Sequence, residues 1–557
     1  MGSRWQWMMI LINFLLIGAT ILMVEPMVAM DGVPLGTNSR WIVNQNGQRV
    51  KLACVNWVSH LDAVVAEGLS KKPVNEISKE IKSMGFNCVR LTWPTLLTTD
   101  DNISNLKVRQ SLENHGLRNF IDGFQSNNPT ILDLSLIQAF QAVVKSLENN
   151  DVMVILDNHI TKPGWCCSNT DGDGFFGDQY FDPNLWVTGL TKMATLFKGV
   201  PNVVGMSLRN ELRGPKQNEN DWYRYMVQGA EAVHAANPDV LVIFSGLNFA
   251  INLSFIFKRP LNLSFKEKLV FEAHRYSFTD GQAWANENPN KVCRQVTQNL
   301  KDTSGYLVDQ GYPLIMSEFG GDLRGTNVND NRYLNCFIAY AAELDLDWAL
   351  WTLQGSYYIR QGDVEHEEVY GLLNLNWTQV RNIGFLHRIT SLQLPFQGPG
   401  IIQGEPYKLI FHPLTGLCVI GEFSEKQPLK LGQCFSSDGW HYTPQNILLR
   451  KGTNECIKVV SEGKPATLST SCSGDDSKWD MISDSKLHLS SKTYMGSNVC
   501  LDVDGNNNIV TNACKCLSQD KSCDPANQWF KIIDSGKRSI QSSSTLSRTY
   551  MKPLIST

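Results

Sequence analysis

Residues Pro201 to Leu212 read PNVVGMSLRNEL. Val203 to Met206 is a short run without charge, as expected of a strand buried on both faces, and it ends abruptly in Arg209, Asn210 and Glu211. A buried strand that delivers a carboxylate at its end is placing it for use. Pro313 to Gly320, PLIMSEFG, repeats the design: apolar strand, then Glu318, then a Gly-rich exit. Carboxylates at the same ends of two parallel strands would face one cleft.

Outward from these two, the chain alternates. Strand-like text ends at Trp57, Leu91, His159, Glu211, Gly246, Tyr276, Glu318 and Trp351, and most intervals hold amphipathic helical text, for example Leu132 to Glu148, Asp221 to Ala236 and Asn331 to Leu344. The interval after Gly246 is the poorest in helix. Eight such units predict an α/β fold, a (β/α)8 TIM barrel with generous insertions, because alternating strand and helix forces parallel strands and right-handed crossovers. An open doubly wound sheet is the rival, and no GxGxxG or GxxxxGK[ST] opens any helix to support it. In a barrel, chemistry sits at the C-terminal strand ends and on the loops after them, and the long loops 94–130, 160–183 and 354–371 fall there.

Beyond Leu394-Pro395 the helical period stops. Gly398-Pro-Gly400 makes a linker, and the text after Glu405 is short strands with Gly, Asn and Asp turns. This region repeats: Cys418, Cys434 and Trp440; Cys456, Cys472 and Trp479; Cys500, Cys514 or Cys516, and Trp529. Three units of about 45 residues, each with paired cysteines followed by a tryptophan, imply an all-β domain whose units share one core.

The chain has 557 residues, enough for two or three domains, and a net charge of -4, which leaves no electrostatic footprint for nucleic acid. Arg4, an apolar run from Trp7 to Met23, and small residues near Ala29 have the order of a secretory signal. Fourteen cysteines suit the oxidising route this implies, and sequons at Asn102, Asn252, Asn262 and Asn376 are candidate glycosylation sites. Metal ligation has little support, because Cys166-Cys167 is an adjacent pair and no CxxC is answered by a second. Asp171-Gly-Asp173-Gly begins like a calcium loop, but Phe175 occupies the next ligand position and no Glu closes the pattern. An ordered cleft wall is the expected role of that loop, and no metal or cofactor is expected.

Two carboxylates in different environments are what glycosidic bond cleavage needs, one to protonate the leaving oxygen and one to stabilise the developing cation. The strand-end residues together resemble glycoside hydrolase family 5, the cellulase-type group of (β/α)8 enzymes, from about Trp41 to Thr390. The strongest part is Val203 to Leu212, which departs from the family signature only in Leu212. The resemblance implies Glu211 as acid/base and Glu318 as nucleophile, with Arg90, His159, Asn210, His274 and Tyr276 lining the catalytic subsite and Trp351 as stacking platform. Arg90 and Tyr276 are expected beside Glu318, favouring its ionised form and leaving the proton on Glu211.

The repeats resemble the β-trefoil of ricin-B-type lectins. That reading pairs Cys418 with Cys434, Cys456 with Cys472, and Cys500 with Cys514 or Cys516, the remaining one joining Cys523. The sugar-binding pattern is poor: Asp438-Gly-Trp440, Ser477-Lys-Trp479 and Asn527-Gln-Trp529 replace Gln-x-Trp, and Gly432, Thr470 and Asn512 replace the stacking aromatic. Asp502 matches the usual sugar-binding acid, so the third unit is the one candidate lectin site.

The expected organisation is a signal at 1–29, a hydrolase barrel at 30–396, a linker at 397–404, a trefoil at 405–535 and a disordered tail at 536–557. The expected activity is that of a secreted, monomeric, retaining β-glycosidase acting on a β-1,4-linked glucan or mannan, polysaccharide or oligosaccharide. The rivals are a catalytically silent glycan-binding protein and a hydrolase of small glycosides. Endo or exo action rests on loop conformation, which the sequence leaves open.

Overall fold

The computed structural model describes residues 32–401, 405–421, 428–437, 439–518 and 520–536. The signal segment and nearly all of the tail lie outside them.

Eight strands close into a parallel barrel: β1 (Ala53–Trp57), β2 (Cys88–Pro94), β3 (Met153–Ile160), β4 (Val203–Ser207), β5 (Leu241–Ser245), β6 (Leu269–Tyr276), β7 (Leu314–Gly320) and β8 (Asp347–Leu350), with β8 pairing to β1. Side chains alternate along each strand. One parity faces the helices, as with Val89, Leu91, Val154, Leu156, Phe271 and Trp348. The other fills the barrel, where Cys54, Cys88, Ile155, Ile243, Val270, Ile315 and Ala349 form a separate apolar cluster, closed below by Leu35 and by Ile42 of the hairpin Gly36–Asn38/Trp41–Val43. Two residues further along the same parity, the filling becomes polar: Asn56, Arg90, Asp157, Ser207, Glu272 and Ser317 are all buried. The barrel is therefore apolar below and charged above, and the charged layer carries the strand-end residues.

The helices begin at caps written in the sequence. Ser135 forms a capping box with Gln138 before Leu136–Glu148, Asp182 precedes Pro183–Leu196, and Asn218, Asn288, Asn327 and Asn382 cap Glu219–Ala236, Pro289–Leu300, Val328–Leu344 and Ile383–Thr390. The interval after β5 holds only the short turns Leu247–Ala250 and Ser254–Phe257.

All fourteen cysteines are paired: Cys54–Cys88 across β1 and β2, Cys166–Cys167 in the loop after β3, Cys293–Cys336 between two barrel helices, and Cys418–Cys434, Cys456–Cys472, Cys500–Cys514 and Cys516–Cys523 in the β-rich region. In that region Val419, Trp440, Ile457, Trp479, Leu489, Leu501 and Phe530 meet in one core, so all three repeats contribute to it. Its strands form two curled antiparallel sheets.

The third repeat departs from the other two. Trp440 and Trp479 donate their indole N–H to Val419 and Ile457 carbonyls within their own units, at 3.3 and 2.9 Å. Trp529 instead donates to Asn290 Oδ1 of a barrel helix at 2.9 Å, and Ser485 Oγ donates to the same oxygen at 2.7 Å. Asn288 Nδ2 donates to the Cys516 and Ser518 carbonyls, Arg332 to those of Lys521 and Cys523, and Leu409, Phe411, Leu487 and Ile533 join the barrel's outer apolar cluster. The short linker thus joins two bodies that share an extensive interface. Replacing Asn290 by Ala strands the buried Trp529 N–H and should cost about 1–3 kcal/mol. Denaturation followed by tryptophan fluorescence should show the loss with turnover unchanged; an unaltered midpoint would mean that this docking contact is not stabilising.

Candidate active site

Arg90, the third residue of β2, is fully buried and reaches Asn56, Asp157 and Glu272 of the polar layer as well as Asn210 and Glu318 above it. Nη1 donates to Glu318 Oε1 at 3.0 Å and to Asn56 Oδ1 at 3.1 Å, and Nη2 donates to Asn210 Oδ1 at 2.9 Å. Asp157 lies 2.9 Å and Glu272 3.5 Å from Nη2. Burial alone would pull the guanidinium down, but these carboxylates outweigh it and hold it above its ordinary value.

Glu318 owes its aim to a bulge. The β6–β7 register passes from Ala273↔Met316 to His274↔Glu318, so Ser317 is the extra residue, and Glu318 is turned into the mouth at a position simple alternation would send outward. Its Oε2 accepts from Tyr276 OH at 2.9 Å. Glu211, just beyond β4, meets His274 Nδ1 at 2.8 Å, while the same nitrogen lies 3.6 Å from Glu318. The Ser317 hydroxyl lies 3.0 Å from His274 Nε2 and can donate to it, which leaves the ring proton on Nδ1, facing the carboxyls. Burial holds His274 below its ordinary value despite Glu318, so the ring is neutral at neutral pH.

Glu211 and Glu318 present oxygens within 4.8 Å of each other. Burial pushes both up to about 7, against the pull of Arg213 and Arg90 on Glu211 and of His274 and Arg90 on Glu318. Both carboxyls are therefore raised, and burial alone does not decide which of them keeps a proton. Donors separate them. Glu318 receives a guanidinium and a phenol, which favour its anion, whereas Glu211 has only the neutral imidazole, so the shared proton belongs on Glu211.

His159 is set by Asp157, whose Oδ2 lies 2.6 Å from Nδ1 and turns Nε2 toward Asn210 Nδ2 at 3.3 Å. Its ring stacks on His60 at 4.0 Å and on Trp351 at 5.6 Å. The eight barrel residues expected from sequence all line or directly support one cavity of about 720 Å³. Sequence reading missed Asp157, Glu272, Asn56, Ser207, Ser317 and His60. Parity was the available signal for two of them: Asp157 is two before His159 and Glu272 two before His274.

The calcium-like loop is held by arginines. Asp173 pairs with Arg209 at 2.7 Å and Asp171 with Arg213, which also donates to the Glu211 carbonyl at 2.6 Å. These pairs tie the loop after β3 to the end of β4 and bring the Cys166 and Cys167 sulfurs to 3.9 and 3.8 Å from Asn210 Nδ2. Leu212 is buried, and its carbonyl accepts from Phe249 N–H. Glu211, His274 and Glu318 are spaced closely enough to ligate a cation, but a guanidinium already supplies positive charge there. Asp502 is the candidate lectin residue of the third repeat. It is 2% exposed, and its Oδ2 accepts from Gln528 and Asn512, each at 3.0 Å, so it fastens its own hairpin.

The family model for cellulase, glycosyl hydrolase family 5, matches residues 43–356. A glycosyl hydrolase 5 family protein of Chamaecyparis obtusa is 44% identical over 527 residues, which covers 91% of this chain and 94% of that protein. An endoglucanase of Paenibacillus polymyxa is 22% identical over 61% of this chain and 83% of its own. Among solved structures, a hyperthermophilic endocellulase of the archaeon Pyrococcus horikoshii superposes with a TM-score of 0.52 at 20% identity, over 65% of this chain and all of that one. With a closed parallel barrel and two carboxyls at its mouth, the chain is a glycoside hydrolase. It belongs to glycosyl hydrolase family 5.

Removing the central cation tests the site's electrostatics. Arg90→Leu leaves buried carboxylates without a counter-charge and should cost about 3–5 kcal/mol at pH above 7. Glu211 and Glu318 have folded values raised from 4.5 to about 7, so the folded state takes up protons first as pH falls. Without Arg90 these carboxyls should hold their protons to still higher pH, so the deficit should shrink as pH falls toward about 7, and a pH-independent deficit in urea titrations would contradict this charge balance.

Proposed function

We propose that the protein is a secreted retaining β-glycosidase that cleaves a β-1,4-linked glucan or mannan by double displacement. The observation that carries the reading is the approach of the Glu211 and Glu318 oxygens within 4.8 Å. Retaining enzymes set their carboxyls about 5–5.5 Å apart, whereas inverting enzymes need about 6.5–9.5 Å to admit a water between carboxylate and sugar. Glu318 attacks the anomeric carbon as the leaving oxygen takes the Glu211 proton. A glycosyl ester forms on Glu318. Glu211, now ionised, takes a proton from water, which displaces the ester and restores both groups. Arg90 and Tyr276 hold Glu318 in line and stabilise the carboxylate as it departs. Asn210, fixed by Arg90 and His159, offers its amide to a hydroxyl beside the reacting carbon. Trp351 presents an aromatic face to the ring.

The endoglucanase and endocellulase relatives support a β-glucan. Secretion is supported by the N-terminal text, the seven disulfides and the exposed sequons at Asn102, Asn262 and Asn376. The segment 405–535 is read as a ricin-B-type trefoil. With Asp502 enclosed, the reading favours a buttress for the barrel helices over glycan capture, and a monomer is the working assembly.

Azide tests the assignment of roles. Glu318→Ala should lower kcat on an aryl β-glycoside by more than about 10³-fold. Added azide should restore turnover and give the α-glycosyl azide, because the anion attacks where Glu318 stood. Glu211→Ala should give the β-azide, since the covalent ester still forms first. The β-product from Glu318→Ala would exchange the roles, and no hydrolysis of any β-glucan, mannan or aryl β-glycoside by the native enzyme would end the reading.

A further inference from the structure

The loops after β3 and β8 touch, although β1 and β2 lie between those strands in the barrel. From the β8 side, the Arg360 guanidinium lies 3.5 Å over the Trp165 ring, and Tyr357 meets the same indole edge-on at 5.7 Å. Glu368 holds both partners, accepting from Tyr357 OH at 2.6 Å and lying 3.4 Å from Arg360. The contact is footed on packed chain. The loop after β1 is buried from Val58 to Leu61 and from Ala63 to Leu69. Tyr358 N–H donates to the buried Glu67 carboxylate at 2.7 Å, Tyr358 OH to the Ala66 carbonyl at 3.0 Å, and Ser111, from the loop after β2, to the Ala63 carbonyl at 2.7 Å. Loops from four consecutive strands in the ring thus form one wall.

The groups able to hold a sugar ring stand on the wall side: His159 on β3, Asn210 beside it, and Trp351 after β8. His60 Nε2, buried at the foot of the wall in the same cavity, has no hydrogen-bond partner among the described residues. Among the described residues, the opposite side, over β5 and β6, has no cation–π bridge at the cavity's edge. There the cavity is edged by Asn248, Phe249 and Phe278, which stacks on Tyr276 at 4.8 Å and is 63% exposed. A ring bound against the wall directs its leaving group to this exposed side.

Building on the retaining β-glycosidase reading, we infer that the Trp165–Arg360 bridge closes the glycone end of the site. The enzyme then takes the non-reducing end of a β-glycan chain or oligosaccharide, and excludes internal stretches. The cavity of about 720 Å³ lies within the ~300–1,000 Å³ of ligand-binding clefts and pockets, and it is the bridge, not the volume, that closes its glycone side. An internal stretch needs a groove that continues past the reacting ring on both sides.

The test follows the products from reducing-end-labelled β-1,4- and β-1,3-linked oligosaccharides, together with viscosity and reducing sugar on the matching soluble polymers. Native enzyme should shorten labelled chains stepwise from the unlabelled end and lower viscosity only in proportion to bonds cut. Arg360→Ala, whose side chain is partly exposed, and Trp165→Ala should open the end. They should raise viscosity loss per bond by roughly tenfold, the discrimination a shaped pocket provides. Two variants are used so that misfolding of one leaves the other to decide. Rapid viscosity loss with mixed labelled products from native enzyme overturns the inference while leaving the retaining reading intact. Folded variants with an unchanged stepwise pattern overturn the role of the bridge. Failure to cleave any substrate in the panel defeats both readings together.

Discussion

One buried guanidinium faces more carboxylate than it can neutralise. Arg90 pairs with Asp157, Glu272 and Glu318, and Glu211 lies within 4.8 Å of Glu318, while the nearby imidazoles of His159 and His274 are driven neutral by burial. Burial pushes Asp157 and Glu272 up as well as Glu211 and Glu318, with Arg90 opposing it in both. Such a cluster must retain protons near neutral pH, since isolating several anions from water costs far more than sharing them. The proton that glycoside cleavage needs is stored by this imbalance, and the donors around Glu318 decide which carboxyl keeps it.

The barrel was legible because its strands change abruptly from apolar to polar where burial in the core gives way to the mouth. VVGMSLRNE and PLIMSEF announce both a strand and its working end. Less legible was which residues beyond the apolar switch point inward. Glu318 depends on a bulge at Ser317, a feature of pairing with β6 that no local pattern records. Asp157 and Glu272 read as ordinary strand residues until alternation is counted back from His159 and His274. The loop wall was invisible for a different reason: Trp165 and Arg360 are far apart in the chain, and their contact depends on how four insertions pack.

The β-rich region shows the same division. Its repeat was plain in the spacing of Cys and Trp, since each unit contributes to one core. What the third unit does with its tryptophan was not. Asn290 looks like any polar residue near a helix start, yet it accepts both Trp529 and Ser485 and joins the two bodies. Asp502 illustrates the converse, where a motif position is kept and its carboxylate is spent on Gln528 and Asn512. The interface lies on the outer helices, and the described residues lining the catalytic cavity all come from the barrel.

Burial around Arg90 leaves one proton on the Glu211–Glu318 pair, and it resides on Glu211. Neutron diffraction from deuterium-exchanged crystals near pH 7 reads this directly. The account predicts a deuteron on a Glu211 carboxyl oxygen and none on Glu318, with deuterium on Tyr276 OH pointing at the bare Glu318 oxygen. A deuteron on Glu318, or two bare carboxylates facing each other, would contradict it.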